Sequence, residues 1–213
     1  MLYLYTGTPG SGKSYSATLR AYELIYRPHP KMVVANYKLN IDDKHRQYFK
    51  YLPNDEITLE NLLKISNEYF ATHEFKESSL TLIVDECQIW ANSRSWAEKS
   101  RLSLIEFMSQ SRHAGYDVIL IAQSDKMIDR QFRALIEYEV KHRKLANFGI
   151  VGRLLSLVAM GRVYAAVTYY YGLTERIGVR FFVPRKKIFR LYDSYVMFRQ
   201  VGARSESFEP EPV

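Results

Sequence analysis

A short glycine-rich motif constrains the fold of this chain more than any other feature of its sequence. Residues 7–14 read Gly-Thr-Pro-Gly-Ser-Gly-Lys-Ser and match the pattern G-x-x-x-x-G-K-[ST] in full. The motif directly follows an apolar run at residues 2–6. It leads into residues 14–26, whose apolar side chains have helical spacing. A strand, a glycine-rich loop and a helix in this order predict a phosphate-binding loop in an α/β protein.

Apolar runs and amphipathic segments alternate over residues 1–140. Strands are predicted at residues 2–6, 31–36, 80–85 and 118–122, and helices at residues 14–26, 58–73 and 96–113. Thr58 is expected to cap the second helix, and Gly115 to end the third in a left-handed conformation. The strand segments are mostly unbroken apolar runs, which is typical of parallel strands covered on both faces. We therefore predict a doubly wound α/β core with a mainly parallel sheet and helices on both faces.

The pattern changes after residue 136. Residues 137–145, 162–170, 176–183 and 187–195 are rich in β-branched and aromatic side chains, which predicts antiparallel hairpins added to the core sheet. We expect an ATP-binding core over residues 1–140 and a β-rich extension of the same domain over residues 141–204. The acidic, proline-containing tail at residues 205–213 is expected to be disordered.

The net charge of +7 is concentrated in the β-rich extension. Residues 1–140 hold 17 Lys and Arg against 18 Asp and Glu, whereas residues 141–204 hold 13 against 2. Clustered cations attract phosphates or anionic headgroups, and the aromatic side chains between them suit base stacking. A half-buried sheet needs the same alternation of aromatic residues. Composition therefore leaves open whether the extension is sheet core or a nucleic-acid surface.

Composition also excludes several classes of protein. A content of 47% hydrophobic and 25% charged residues excludes wholesale disorder. The single cysteine, Cys87, permits no internal disulfide, which favours a reducing compartment. Residues 148–171 are the best candidate for a membrane span, but Arg153 and Arg162 interrupt them. The sequence as given is expected to behave as a soluble domain.

The glycine-rich motif and the residue after it are expected to bind the phosphates of ATP. Backbone amides of the loop and the helix N-terminus would face phosphate oxygens. Lys13 would reach the β- and γ-phosphates, and the Ser14 hydroxyl would bind Mg²⁺. The predicted nucleotide-binding residues are Gly7, Thr8, Pro9, Gly10, Ser11, Gly12, Lys13, Ser14 and Tyr15.

An acidic pair ends the predicted strand at residues 80–85. Ligands of open α/β sheets bind at the carboxyl ends of strands, so Asp85 is the predicted second Mg²⁺ ligand. Glu86 can act as general base for an attacking water. A pair that merely ends a strand is the alternative, which the complete phosphate loop upstream disfavours.

Further candidates for catalysis follow the strand at residues 118–122. If that strand lies between those ending at Thr6 and Asp85, Gln123 points at the γ-phosphate and can orient water or report the nucleotide state. Hydrolysis at such sites commonly needs one more cation for the transition state. Arg112, Arg130 and Arg133 are candidates to act across a subunit boundary, although none is uniquely placed.

Four segments together resemble one family. They are GTPGSGKS at residues 7–14, LIVDE at 82–86, SRHAGYDVILIAQ at 111–123 and IFRLYDSY at 188–195. The sequence resembles the zonular occludens toxin (Zot) family, assembly ATPases of filamentous bacteriophages within the FtsK/HerA branch of P-loop ATPases. The resemblance implies a RecA-like core and Mg²⁺-dependent ATP hydrolysis by a homo-oligomeric ring, a hexamer in the family. It also implies extrusion of single-stranded DNA and coat protein through the inner membrane.

The resemblance further implies a place in the cell. Family members carry a transmembrane helix and an extracytoplasmic part after the ATPase domain, so this sequence looks like the cytoplasmic domain of an inner-membrane protein. Two other functions stay open on the residues alone. One is a small nucleotide kinase, and the other is a module that binds nucleotide to order itself and holds DNA or membrane without significant hydrolysis.

Overall fold

One large sheet organises the chain. The computed structural model describes residues 1–91, 98–145, 163–173 and 175–192. Within these ranges eight strands form a sheet with the order β3-β2-β4-β5-β1-β6-β7-β8. The strands are β1 (Leu2–Thr6), β2 (Met32–Ala35), β3 (Phe49–Tyr51), β4 (Leu80–Val84), β5 (Tyr116–Ile121), β6 (Tyr138–Lys144), β7 (Tyr164–Tyr170) and β8 (Arg176–Phe182).

Helices connect strands of the sheet, and the three longest of them confirm the helices predicted at residues 14–26, 58–73 and 96–113 over their described parts. They are α1 (Lys13–Ile25), α2 (Leu59–Phe70), α3 (Cys87–Ala91), α4 (Glu98–Gln110), α5 (Arg130–Arg133) and α6 (Lys186–Leu191). The Thr58 side chain caps α2 by accepting a hydrogen bond from the Asn61 amide at 3.3 Å. Gly115 has a φ of 76°, which confirms the predicted left-handed residue after α4. Within the ranges given above, no helix combines the length and the apolar character that crossing a bilayer requires.

The sheet has a parallel part and an antiparallel part. Every neighbouring pair from β3 to β6 is parallel, and the pairs β6–β7 and β7–β8 are antiparallel. β5 lies between β4 and β1, which is the position that the sequence argument for Gln123 required. The carboxyl ends of these three parallel strands therefore lie side by side. The proposed boundary between residues 140 and 141 falls inside β6.

Helices cover both faces of the parallel part. On one face, Leu4, Leu82 and Leu120 pack with Leu62 of α2 and Leu104 of α4. On the other, Ala17, Ala21 and Leu24 of α1 pack against strand side chains that include Val33 and Ile119. All five residues of β4 are buried, which explains its unbroken apolar sequence. Each fully buried leucine or isoleucine contributes about 1.5–3 kcal/mol to stability.

The prediction of a strand at residues 187–195 is wrong over its described part. Residues Lys186–Leu191 form helix α6. Ile188 and Leu191 lie three positions apart, so a helix directs both toward the aromatic cluster beside α1. Residues 193–195 lie outside the described ranges, as do residues 92–97, 146–162 and the predicted tail. Sequence analysis also missed the short elements β3, α3 and α5.

Aromatic residues of the extension divide between core and surface. Phe182 is 8% exposed and stacks between Tyr15 of α1 and Tyr164 of β7. Its neighbour Phe181 projects from the other face of β8 and is 61% exposed. Side chains of β8 point alternately to the two faces of the sheet. Phe182 on one face joins the aromatic core, and on the other face apolar and aromatic side chains are accessible to solvent.

Candidate nucleotide-binding site

The phosphate loop requires glycine at its two ends. Gly7 follows β1 with a φ of 143°, and a Cβ there would lie 2.4 Å from the His142 carbonyl oxygen and 2.6 Å from Ser11 Oγ. Gly12 precedes α1 with a φ of 93°, and a Cβ there would lie 3.1 Å from the Tyr164 ring. Only glycine meets both the backbone conformation and the close approach. The pattern of glycines in the sequence therefore reflects the packing of the loop against β6, β7 and β8.

Lys13 is folded back onto the loop. Its Nζ donates hydrogen bonds to the carbonyl oxygens of Gly7 at 2.7 Å and of Thr8 at 3.2 Å. Burial lowers the pKa of Lys13, and the nearby carboxylates of Glu86 and Asp85 oppose that shift. The ammonium group is thus held at the loop by neutral carbonyl oxygens, which anionic phosphate oxygens can replace as stronger partners.

Asp85 directly follows β4 and is 2% exposed. Its backbone carbonyl accepts a hydrogen bond from Asn36 Nδ2 at 2.8 Å, and its amide donates to Asn36 Oδ1 at 2.7 Å. Burial raises the pKa of Asp85, and a hydrogen bond with the Ser14 side chain acts in the opposite direction. The structure therefore places Ser14 and Asp85, the two predicted Mg²⁺ ligands, close together.

The donor set around Asp85 fits Mg²⁺. Ser14 offers a hydroxyl oxygen and Asp85 offers a carboxylate, and Mg²⁺ prefers such oxygen ligands beside substrate phosphates. Glu86 Oε2 accepts a hydrogen bond from the Gln88 side chain. Glu86 also has a φ of 48°, a left-handed conformation that costs a non-glycine residue about 1–3 kcal/mol. Backbone strain at a residue next to the acidic strand end is typical of functional sites.

Gln123 lies at the carboxyl edge of the sheet beside the phosphate loop. Its carbonyl oxygen accepts a hydrogen bond from the Gly7 amide at 3.3 Å. Its side chain is exposed and borders a cavity of about 500 Å³ that Gly7 and Thr8 also line. The fold therefore places Gln123 between the ends of β1 and β4, as expected.

The other wall of this cavity comes from β6, which sequence reasoning did not include in the site. Glu139 Oε1 accepts a hydrogen bond from the Thr6 hydroxyl at 2.7 Å, and Lys141 contacts Glu139 at 3.3 Å. His142 is 1% exposed, and burial lowers its pKa to about 4. No local sequence signal marks these residues, because their position depends on the pairing of β6 with β1.

One of the three candidate arginines lies away from the phosphate loop of its own chain. Arg112 lies in the turn between α4 and β5, at the amino end of β5. The six residues of β5 span about 20 Å, which separates Arg112 from the phosphate loop at the other end of the sheet. Arg130 and Arg133 lie on α5.

Comparison with known proteins gives consistent results. The family model described as "Zonular occludens toxin (Zot)" matches residues 1–198. Gene 1 protein of Salmonella phage IKe is 33% identical over 169 residues, which are 76% of this chain and 46% of that protein. This chain thus spans about half the length of that relative.

Two solved structures have the same fold. The N-terminal domain of zonular occludens toxin from Neisseria meningitidis has a TM-score of 0.53 at 18% identity, covering 90% of this chain and 98% of that domain. B204, the DNA-packaging ATPase of Sulfolobus Turreted Icosahedral Virus, has a TM-score of 0.53 at 13% identity, covering 86% and 97%. At these identities the likeness establishes the fold alone, a mainly parallel sheet covered by helices with a phosphate loop after β1. Since the family model spans most of the sequence, including the loop, Asp85 and Gln123, the chain belongs to the zonular occludens toxin (Zot) family.

Proposed function

We propose that this chain is a Mg²⁺-dependent ATPase motor domain that acts in the assembly and export of filamentous phage. A complete phosphate loop, with Lys13 held on it and Ser14 close to the buried Asp85, carries the proposal. Support also comes from the names of relatives, since Gene 1 protein belongs to a phage and B204 is described as a DNA-packaging ATPase.

Each proposed catalytic residue has a distinct role. Backbone amides of residues 7–15 and the Lys13 ammonium bind the phosphates of ATP. Ser14 and Asp85 hold Mg²⁺, which when bound neutralises charge on the β- and γ-phosphates. Glu86 takes a proton from the attacking water, and the Gln123 amide orients that water. Water as the acceptor distinguishes this function from that of a nucleotide kinase.

A homo-oligomeric ring would complete the site. Arg112 lies at the sheet edge opposite the phosphate loop, so in a head-to-tail ring it can face the loop of the next subunit. Arg130 and Arg133 are the other candidates for this trans-acting cation. The proposed ring is a hexamer, as the family resemblance implies, and the chain is its cytoplasmic domain at the inner membrane.

The basic extension is the proposed surface for single-stranded DNA or coat protein. Arg185, Lys186 and Arg190 are exposed, and the Phe181 and Phe189 side chains near them are 61% and 56% exposed. Cations with accessible aromatic rings suit a single strand. We expect affinity for single-stranded DNA to fall with salt at a log-log slope of about −0.7 per neutralised phosphate. Charge reversal at Arg185 and Lys186 should flatten that slope, and an unchanged slope would place DNA elsewhere.

The test of the ATPase function is phosphate release per subunit against protein concentration at saturating Mg-ATP. A shared site predicts a specific rate that rises with concentration, because assembly supplies the missing arginine. Glu86→Gln should bind ATP and release no phosphate above background, which controls for contaminating activity. A phosphorylated acceptor in place of free phosphate would indicate a kinase, and nucleotide binding without turnover at any concentration would indicate the nucleotide-ordered binding module.

A further inference from the structure

One segment of the extension contacts both sides of the nucleotide site. At its beginning, the Arg185 amide donates a hydrogen bond to the Tyr15 hydroxyl at 2.8 Å. Tyr15 follows Ser14 directly on α1. At its end, the Tyr192 hydroxyl donates a hydrogen bond to Asp85 Oδ2 at 3.2 Å. Residues 185–192, with helix α6 between the two contacts, therefore connect the phosphate-loop helix to the acidic end of β4.

Tyr192 is held in place from several directions. Its ring packs edge-on against Tyr37 with the ring centroids 5.0 Å apart. Its backbone forms a bridge with Leu39, and the Asn40 amide donates to the Leu191 carbonyl at 2.9 Å. Tyr37, Leu39 and Asn40 all follow β2, the strand whose next residue, Asn36, binds the backbone of Asp85. Asn36 and Tyr192 thus both hold Asp85 in place, and Tyr192 is itself held by the residues that follow β2.

The hydrogen bonds to Asp85 restrain the rotation of its carboxylate. Oδ1 accepts from the Glu86 amide at 2.9 Å, while Oδ2 accepts from Tyr192. A carboxylate oxygen has two lone pairs, so each oxygen keeps acceptor capacity for another ligand. Partners of this kind orient a metal ligand, and their removal typically lowers metal affinity about 10- to 100-fold.

We propose that Tyr192 is a positioning residue for Asp85 and that the docking of residues 185–192 is coupled to the binding of nucleotide with Mg²⁺. This inference rests on the proposed function, because it assumes that Asp85 is the metal ligand. Coupling between two equilibria is reciprocal. If the Tyr192 contact strengthens Mg²⁺-nucleotide binding, Mg²⁺-nucleotide must strengthen the docking of the segment to the same extent.

The first measurement is the affinity of the native protein and two variants for a fluorescent, non-hydrolysable ATP analogue, with Mg²⁺ and with EDTA. Tyr192→Phe removes the hydroxyl that reaches Asp85. Tyr37→Phe is the matched control. It removes a buried hydroxyl from the ring that packs against Tyr192, and this hydroxyl does not hydrogen-bond Asp85. We expect Tyr192→Phe to reduce the Mg²⁺-dependent gain in affinity about tenfold and to leave affinity in EDTA unchanged. Tyr37→Phe should leave the gain intact.

The second measurement tests reciprocity without any use of turnover. Amide hydrogen exchange of residues 186–192 should slow when Mg²⁺ and the analogue are added to the native protein, relative to the analogue with EDTA. Tyr192→Phe should lose this difference. Thermal unfolding of both variants confirms that they fold.

The outcomes separate this inference from the proposed function. Native protein that binds no nucleotide, or binds it without any gain from Mg²⁺, overturns the proposed function and the inference with it. Native protein with a clear Mg²⁺-dependent gain that Tyr192→Phe leaves unchanged, or that Tyr37→Phe reduces equally, overturns the inference alone. Loss of affinity in EDTA as well as in Mg²⁺ would show a general structural role for Tyr192 and would also overturn it.

Discussion

The parallel and antiparallel parts of the sheet use the same kinds of residues differently. In the parallel part, strands such as β4 are buried on both faces, and the polar side chains Ser14, Asp85 and Gln123 lie at the carboxyl edge. In the antiparallel part, β8 packs one face against α1 and exposes the other. The parallel part thus concentrates its chemistry at one edge. The antiparallel part belongs to the extension that carries the cationic excess, and it packs beside the phosphate loop.

The largest expected effect comes from removing Lys13, the cation of the phosphate loop in the parallel part. Lys13→Ala should lower ATP hydrolysis roughly 100- to 1,000-fold, since Lys13 lies on the loop that binds the phosphates. It should also abolish the stabilisation by ATP, which is about 2.7 kcal/mol at 100 times the dissociation constant. Phosphate release and thermal unfolding with and without ATP measure both. Arg176→Ala, at an exposed position on β8 of the antiparallel part, is the control and should change neither; an equal loss there would contradict the division of roles.

The buried His142 of β6, beside the phosphate loop, should make the stability of the protein depend on pH. Burial lowers its pKa to about 4, so the folded protein resists protonation while the unfolded chain accepts a proton near pH 6.5. Stability is therefore full above pH 6.5 and falls as the pH drops toward 4, by up to about 3 kcal/mol. Urea unfolding at several pH values should show this loss reduced in His142→Gln and retained in His113→Gln, which alters an exposed histidine. A loss of equal size in both variants and the native protein would assign it to other groups.

Two glycines give a sharper comparison of the two parts. Gly7→Ala places a Cβ 2.4 Å from the His142 carbonyl oxygen and should destabilise the protein by about 1–3 kcal/mol. Gly178→Ala on β8 meets no atom within 4 Å and should be neutral or stabilising by up to about 1 kcal/mol. Urea midpoints measure the difference. A tolerated Gly7→Ala would mean that the loop can move away from β6.

The smallest expected effect concerns the ion pair that joins β8 to α1. Arg180 hydrogen-bonds Glu23 with both partners partly exposed, so Arg180→Gln should cost less than about 1 kcal/mol. That cost should shrink further in 1 M salt, because salt screens the pair. Chemical unfolding at two salt concentrations checks it. A larger, salt-independent loss would show that the Arg180 side chain contributes by packing rather than as a surface charge.

Sequence reasoning succeeded where local patterns decide structure. Strand β1, the phosphate loop and helix α1 follow from the order of an apolar run, glycines and a helical pattern. β4 and β5 follow from apolar runs that allow no exposed face. The α2 cap at Thr58 and the left-handed Gly115 follow from local backbone chemistry.

It failed where local patterns are ambiguous. Residues 186–191 carry aromatic and apolar side chains that suit a strand, and packing of Ile188 and Leu191 beside α1 selects a helix instead. Asn36 follows an apolar strand as Asp85 does, so the rule that ligands gather at carboxyl ends of strands could have found it. No such rule points to Tyr192 or His142.

The sequence by itself determined the phosphate loop, the order of the longer strands and helices through residue 122, and the family. These features depend on residues close together in the chain, so spacing alone encodes them. Tertiary structure decided that Ser14 lies close to Asp85, that Tyr192 reaches Asp85 across 107 positions, and that the His142 backbone packs against Gly7. Such contacts depend on which strands become neighbours and in what register. That choice comes from the packing of the whole sheet, which no local segment specifies.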